Sequence, residues 1–531
     1  MSGFIKNIIL GNRYFDSLKL MRVSGKAGDL EGVDKVSVVM ATELNKQILR
    51  EVGLATAELD EAKAEQLVVA LSLKDERSLD RVLCFINCEL DRAAAPSGKS
   101  GQAVCRTLET ALSMLPGANL ALISVPGRYA KREARKALES GLHVLLFSDN
   151  VSVEEELELK QLARSRNLLV MGPGCGTAII SGVPLAFANV MKKGPVGIVA
   201  ASGTGIQEVS CLVSNAGVGV SHAIGTGGRD LSDQIGGITM MQGIEMLEKD
   251  PQTEVIVLVS KPPGARTAKK LAEFIGRCKK PFVVNFIGSS TSSEVGEVKW
   301  KSASTLEDTA GLAIALARGE EYTKRNFTDG ADRILFLAKQ EWKGFKEEQQ
   351  FVRGLYSGGT VCSEAALILS DLVSPLSSNI PPKPELRMAN TKRSEGHVCL
   401  DMGDEEFTVG RAHPMIDPTL RKNRIIQEAQ DPATAVLLLD VELGYGSHAD
   451  PAGALVQSIR EAKDIASGRG GYLSVVAFLI GAYEDPQGYD AQKQKLVDVG
   501  VLVLPSNAQA VRMASLIATR GTLSGTFFKG V

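Results

Sequence analysis

Histidine, clustered cysteine, basic excess and long apolar runs are all scarce in this sequence, and each scarcity removes a class of function. The five histidines, His143, His222, His397, His413 and His448, share no HExxH or comparable spacing, so no metal centre is expected. The closest of the eight cysteines, Cys84 and Cys88, have helical spacing rather than a CxxC arrangement, which predicts reduced, mostly buried thiols. A formal charge of -2 leaves no cationic surplus to neutralise a phosphodiester backbone, which argues against nucleic acid as a partner. No apolar run is long enough to span a bilayer and the N-terminal stretch has no signal-peptide cleavage pattern, so a soluble, cytoplasmic protein without membrane contact is expected.

What is present is length and hydrophobic content, 531 residues of which 44% are hydrophobic, enough for several cores. Residues 1–102 alternate short apolar runs with helical patterns and read as a small α+β domain, of split βαβ type, ending in the Pro/Gly/Ser-rich linker 93–102. Residues 103–193 read as a βαβαβ series, and residues 194–325 as a further parallel α/β unit. A charged, helix-prone connection follows at 326–350, and residues 351–531 form the last α/β domain.

The chain echoes itself. Asp250-Pro251-Gln252-Thr253 and Asp431-Pro432-Ala433-Thr434 each feed a strand-like run, and each is preceded by a strand, a small-residue loop and a helix. The second copy carries a Pro- and Ser-rich insertion, residues 373–396, expected as an exposed loop. The fold class is therefore α/β, with tandem flavodoxin-like or Rossmann-like parallel-sheet domains behind the small α+β domain.

The loops that close the first strand of each copy carry the chemistry. Ser202, Gly203, Thr204 and Gly205 in one, and Ser357, Gly358, Gly359 and Thr360 in the other, put hydroxyls and free amides at a helix N-terminus, an arrangement suited to phosphate. Neither loop is a Walker A motif, because no lysine follows the glycines where one is required. A plain βα turn is the competing reading for each loop alone. Duplication at equivalent places favours function, since open α/β sheets bind ligands at the carboxyl ends of their strands. Gly227 and Gly228 beside Arg229 and Asp230, and Cys175 and Gly176 in a glycine-rich turn, are expected on substrate- or CoA-side loops. Arg229 is read either as an anion partner or as half of a structural pair with Asp230. Arg411, His413 and Asp417 fall within seven residues, with His413 as candidate acid or base and Asp417 its candidate orienter, or both as structural groups.

These residues carry a resemblance. Gly172-Pro173-Gly174-Cys175-Gly176, Ala201-Ser202-Gly203-Thr204 and Glu248-Lys249-Asp250-Pro251-Gln252-Thr253-Glu254 are similar to the α subunit of succinyl-CoA synthetase, and the second half resembles the carboxy-terminal domain of that enzyme's β subunit. Tyr14-Phe15-Asp16-Ser17, Ser260-Lys261-Pro262-Pro263 and His413-Pro414-Met415-Ile416-Asp417-Pro418 resemble the FdrA family over nearly the whole chain. The resemblance implies domains of succinyl-CoA-synthetase type, with a truncated CoA-binding-like domain at 103–193. In those synthetases two helix N-termini grip a phosphohistidine, yet no histidine occurs here in 289–305, and the nucleotide-binding portion is missing. The resemblance therefore implies a subunit of a carbamoyl- or acyl-transferase complex rather than a self-sufficient CoA ligase. Phosphate or carbamoyl phosphate would be its substrate or product, CoA is doubtful, and partner subunits and oligomerisation are expected. FdrA-like proteins are linked to carbamoyl transfer from ureido acids such as oxalurate in anaerobic ureide and purine catabolism. An acyl-CoA synthetase working with partner chains, and a non-catalytic phosphate or acyl-phosphate scaffold, are the alternatives.

Overall fold

A computed structural model describes residues 4–11, 15, 17–28, 30–92, 105, 107–288, 294–295, 298–408 and 411–528. The proposed linker at 93–102, with Tyr14 and Asp16 of the first motif, lies outside the described residues. The chain forms two compact units, one of residues 1–106 with 408–412 and one of residues 107–407 with 413–531.

In the smaller unit, β1 (Phe4–Leu10), β2 (Val33–Met40) and β3 (Leu67–Leu73) form an antiparallel sheet of order β1-β3-β2. The helix Ser17–Gly28 joins β1 to β2 while β3 lies between them, which is the split βαβ arrangement. β3 is buried almost throughout, and Val69, Leu71 and Leu73 pack on Leu20, Val23, Val82 and Ile86 of two helices.

The larger unit opens with a parallel sheet of β4 (Leu120–Ile123), β5 (His143–Leu146) and β6 (Val170–Met171). Next come β7 (Thr177–Ile180), β8 (Val183–Ala186), β9 (Val196–Ala200), β10 (Val220–Gly225), β11 (Val255–Ser260) and β12 (Phe282–Phe286). A small hairpin of β13 (Glu294–Val295) and β14 (Val298–Lys299) precedes β15 (Lys301–Ser302). The second half contributes β16 (Phe351–Tyr356), β17 (Leu376–Ser378), β18 (His397–Asp401), β19 (Thr434–Glu442), β20 (Ser474–Ile480) and β21 (Leu502–Leu504).

The sheet orders are β15-β12-β11-β9-β10-β7-β8 and β17-β18-β16-β19-β20-β21. With β7, β8 and β17 set aside, both read 2-1-3-4-5 in each half's own strand sequence, the flavodoxin-like order. The duplicated segments are the third strands, β11 and β19, and Asp250 and Asp431 open equivalent turns by accepting the backbone N–H two residues on, at 3.1 and 2.9 Å. These central strands are buried on both faces, so they carry unbroken Val/Ile/Leu runs rather than alternation.

Two sequence expectations change. The first sheet is mixed, because β7 and β8 form a hairpin that pairs antiparallel with β10. The insertion 373–396 is not simply an exposed loop. Its β17 adds a parallel edge strand to β18, with Leu376 and Ser378 buried, because three residues suffice to pair an edge whatever the Pro content around them.

A single hydrophobic core runs through both halves, joining Ile198, Val257 and Val209 to Val361, Leu438 and Phe478. The helices Gly203–Asn215, Gly359–Ser370 and Asn507–Ala518 meet in it, and every residue of the last is buried. Among the described residues, no helix is long and apolar enough to cross a membrane.

Candidate functional site

In a 2-1-3-4-5 sheet the loop after the first strand sits where the chain reverses direction across the sheet, which leaves a crevice at the strands' carboxyl ends. Both candidate loops occupy that position, after β9 and after β16. Ser202 is the N-cap of the helix Gly203–Asn215, its extended backbone directing Oγ to accept from the Gly205 N–H at 2.9 Å. Gly358 is the N-cap of the helix Gly359–Ser370.

The two loops touch. Ser202 Oγ and Thr360 Oγ1 are 2.6 Å apart, a hydrogen bond spanning 158 residues of sequence. A Cβ on Gly358 would lie 2.7 Å from the Thr204 methyl, so glycine is what permits this approach. The amides of Gly203, Thr204, Gly359 and Thr360, in the first turns of their helices, lack intrahelical partners and bring two positive dipole ends to one place.

Beneath the second loop lies a charge that spacing did not reveal. Asp440, near the end of β19 and fully buried, accepts from the Ser357 N–H at 2.9 and 3.0 Å and from the Gly358 N–H at 2.9 Å. Arg421 balances it with Nη2 at 2.5 Å from Asp440 Oδ1, and also donates to Ser357 Oγ at 2.9 Å and to the Leu355 carbonyl. Ser357, expected as a phosphate contact, thus has both its amide and its hydroxyl engaged inside the protein. Asp440 shapes the loop and leaves Gly359 and Thr360 at its mouth.

Asp401, the last residue of β18, stands on the other side of that loop. Its Oδ1 accepts from the Gly403 N–H at 2.9 Å, and its Oδ2 is 2.7 Å from where a Cβ on Gly359 would sit. Burial raises its carboxyl to about 7. Asn379 fixes its backbone, donating to the Asp401 carbonyl and accepting from the Asp401 N–H, both at 2.9 Å.

His413 approaches the same place, its Nε2 lying 2.6 Å from the position of a Cβ on Gly403. Its Nδ1 accepts from the Met415 N–H at 3.3 Å, which assigns the proton to Nε2, and burial lowers its pKa to about 4, so the imidazole is neutral at ordinary pH. Asp417 does not orient the ring. Its carboxylate accepts from the backbone N–H and the hydroxyl of Thr419, at 3.0 and 2.6 Å.

The first-half loops are more self-contained. Arg229 donates to Glu156 at 3.0 Å and to the Val151 carbonyl at 2.7 Å. Glu156 shares Lys160 with Asp230, at 2.8 and 2.7 Å, in a buried ionic cluster that braces the turn of Gly227 and Gly228. The pair read from sequence as Arg229–Asp230 is thus bridged through Glu156 and Lys160. Gly227 has φ +83° and backs onto the Pro173 carbonyl, while nothing crowds Gly228. Cys175 is buried beside Gly176, with its thiol directed at the Thr177 carbonyl and pushed up to about 11 by burial, which makes it unreactive.

Sequence reasoning located both loops but missed the part played by Asp440 and Arg421. The available signal was acidic residues at the end of an otherwise apolar strand, Leu437-Leu438-Leu439-Asp440-Val441-Glu442. No group of three or more metal-ligating side chains occurs among the described residues.

A CoA-ligase family model matches residues 355–517, and a CoA binding domain model matches residues 191–287. The latter falls on β9 to β12, whereas sequence reading had put a CoA-binding-like unit at 103–193. A third model, described as AllF, heavy metal-associated domain, matches residues 1–105. The protein YahF of Escherichia coli (strain K12) is 43% identical over 517 residues, covering 97% of this chain and 99% of its own. The succinate–CoA ligase [ADP-forming] subunit alpha 1 of Archaeoglobus fulgidus is 29% identical over 40% of this chain and 72% of its own, and the corresponding subunit of Aquifex aeolicus is 33% identical over 30% and 52%. Among solved structures, the apo form of the dinucleotide-forming acetyl-coenzyme A synthetase 1 of Ca. Korarchaeum cryptofilum covers 78% of this chain and 86% of its own, at 17% identity and a TM-score of 0.31. The matching domain models tie the chain to CoA or acyl-CoA chemistry and to an acyl-CoA-synthetase-like fold. With YahF alike along its whole length, the chain belongs to the FdrA-like family within the succinyl-CoA synthetase superfamily.

Proposed function

We propose that the paired loops hold a phosphoryl group and that the chain is a subunit of a transferase moving a carbamoyl or acyl group between a ureido acid such as oxalurate and phosphate, in anaerobic ureide and purine catabolism. The observation that carries this reading is the 2.6 Å contact of Ser202 with Thr360, which sets two helix N-termini against one small volume. Phosphate there would meet the first-turn amides of two helices and the one hydroxyl proton that the Ser202–Thr360 pair leaves unused, donors already fixed by the fold.

In the forward direction a phosphate oxygen attacks the ureido carbonyl carbon. The carbon–nitrogen bond to the acid portion breaks, carbamoyl phosphate leaves, and the departing nitrogen takes a proton. Asp401, whose carboxyl burial raises to about 7, supplies it and recovers a proton from the attacking hydrogen phosphate, while the neutral His413 serves only as a hydrogen-bond donor through Nε2–H. Arg229 serves from a distance by bracing the Gly227–Gly228 turn.

The absence of histidine from 289–305 removes the phosphorylated relay that a CoA ligase of this superfamily needs. The matching CoA-ligase and CoA binding domain models favour a second reading, a ligase completed by partner chains. The test is to supply the chain and its co-purifying proteins with oxalurate and phosphate and assay carbamoyl phosphate. ATP- and CoA-dependent thioester formation in its place establishes the ligase, and phosphate binding with no turnover in either mixture establishes a scaffold.

A further inference from the structure

A cavity of about 640 Å³ opens beside the cradle, where loops from both sheets converge. Lys261 and Pro262 follow β11, Gly288 follows β12, Asn379 follows β17 and Asp404 follows β18. The segment from Arg387 to Lys392, supplied by the insertion 373–396, closes another side. The volume is in the range of small-molecule sites.

We propose that this cavity binds the acid partner of the transfer by its carboxylate, with Arg387, Lys392 and Lys261 as the anion-recognising cations. This deepens the phosphate reading above and rests on it for the identity of the reacting end. None of the three cations forms an ion pair with a carboxylate among the described residues, and the side chain of Arg387 is held only through Nη1 to the Asn379 carbonyl at 3.3 Å. Of the acidic side chains that share the cavity, Glu406 accepts from the hydroxyl of Thr391 and Asp404 Oδ1 accepts from the Glu406 N–H at 3.2 Å. Three cations, Lys261, Arg387 and Lys392, against the two carboxylates of Asp404 and Glu406 leave the lining with a net positive charge, which favours an anionic ligand. An arginine fork reads a carboxylate in two-point fashion, and a lysine adds charge without geometry.

The cavity also points toward the phosphate. Ser363 lines it and lies three residues beyond Thr360 on the same helix, hence on the same face about one turn away. Asn379, on another wall, is the residue that holds the backbone of Asp401. An acid anchored by its carboxylate at the cationic end thus extends its carbonyl toward Thr360 and Asp401. Acid specificity would then reside in the insertion, separately from phosphate recognition by the duplicated loops.

Isothermal titration of the full chain with oxalurate, oxamate, succinate, CoA and inorganic phosphate tests the assignment. At least one of the small acids is expected to bind, and Arg387→Ala with Lys392→Ala is expected to weaken it about 10- to 100-fold, while phosphate affinity stays within twofold. Arg387→Gln, milder at an exposed position, is expected to give part of the loss, with an unchanged melting temperature confirming the fold. Wild-type binding of none of the three acids, an unchanged acid affinity in the double variant, or a loss confined to CoA overturns the proposal. If the wild type binds no phosphate but its acid affinity still depends on Arg387 and Lys392, the transferase reading falls while the anion site stands.

Discussion

The Ser202–Thr360 contact makes a prediction whose arithmetic is set by the structure. Ser202 Oγ has two duties, accepting from Gly205 and pairing with Thr360, while Thr360 Oγ1 is credited with one. Loss of an N-cap serine costs about 1 kcal/mol and loss of one hydrogen bond about 1 kcal/mol. Thr360→Val, nearly isosteric, should therefore cost about 1 kcal/mol and Ser202→Ala about 2 kcal/mol. The double variant should cost about 2 kcal/mol rather than about 3, because the shared bond can be lost only once. Urea unfolding followed by tryptophan fluorescence suits the measurement, since the two tryptophans, Trp300 and Trp342, both lie in the larger unit. Full additivity of the two losses would refute a direct contact between the loops. In the same variants, phosphate affinity measured by titration should fall about tenfold or more.

Three further outcomes follow from the same region. Gly358→Ala should wedge the loops apart through the Thr204 methyl, costing about 1 to 3 kcal/mol in urea unfolding and lowering phosphate affinity with it. Arg421→Met should cost about 3 to 5 kcal/mol by stranding the buried Asp440, and calorimetry should show phosphate binding lost; an unchanged unfolding midpoint would contradict the pairing. Glu364, buried on the second cradle helix and raised to about 7, binds its proton more tightly folded than unfolded, so its contribution is fullest below about pH 4.5 and is lost as the pH rises through 7, by about 3 kcal/mol. Asp401 acts in the same direction, and Glu364→Gln should flatten the fall in urea midpoint between pH 5 and 8.

Sequence patterning conveyed the parts of this fold that depend on local order. The runs after Asp250 and Asp431 are third strands of matching sheets because two-sided burial leaves an unmistakable apolar run. The cradle loops stood out because strand, small residues and helix follow one another directly. The β7–β8 hairpin was missed although Ser181-Gly182, both at positive φ, is a turn signal between two short apolar runs. β17 was masked by the Pro and Ser around it. Asp440 and Arg421 were missed for a different reason. Their bond joins a strand end to a helix 19 residues earlier, and no local rule singles out Arg421 from Lys422 and Arg424 on the same helix as the partner of a buried acid.

The continuous core that runs through both halves has a consequence for assembly. The cradle needs one helix from each half, and here a single chain supplies both. Asn189 of the first half bonds Asp485 of the second at 2.6 Å, and Asn215 exchanges hydrogen bonds with Gly481 and Tyr483. Bringing the two loops together is accordingly unimolecular, so dilution cannot separate them as it would two free subunits.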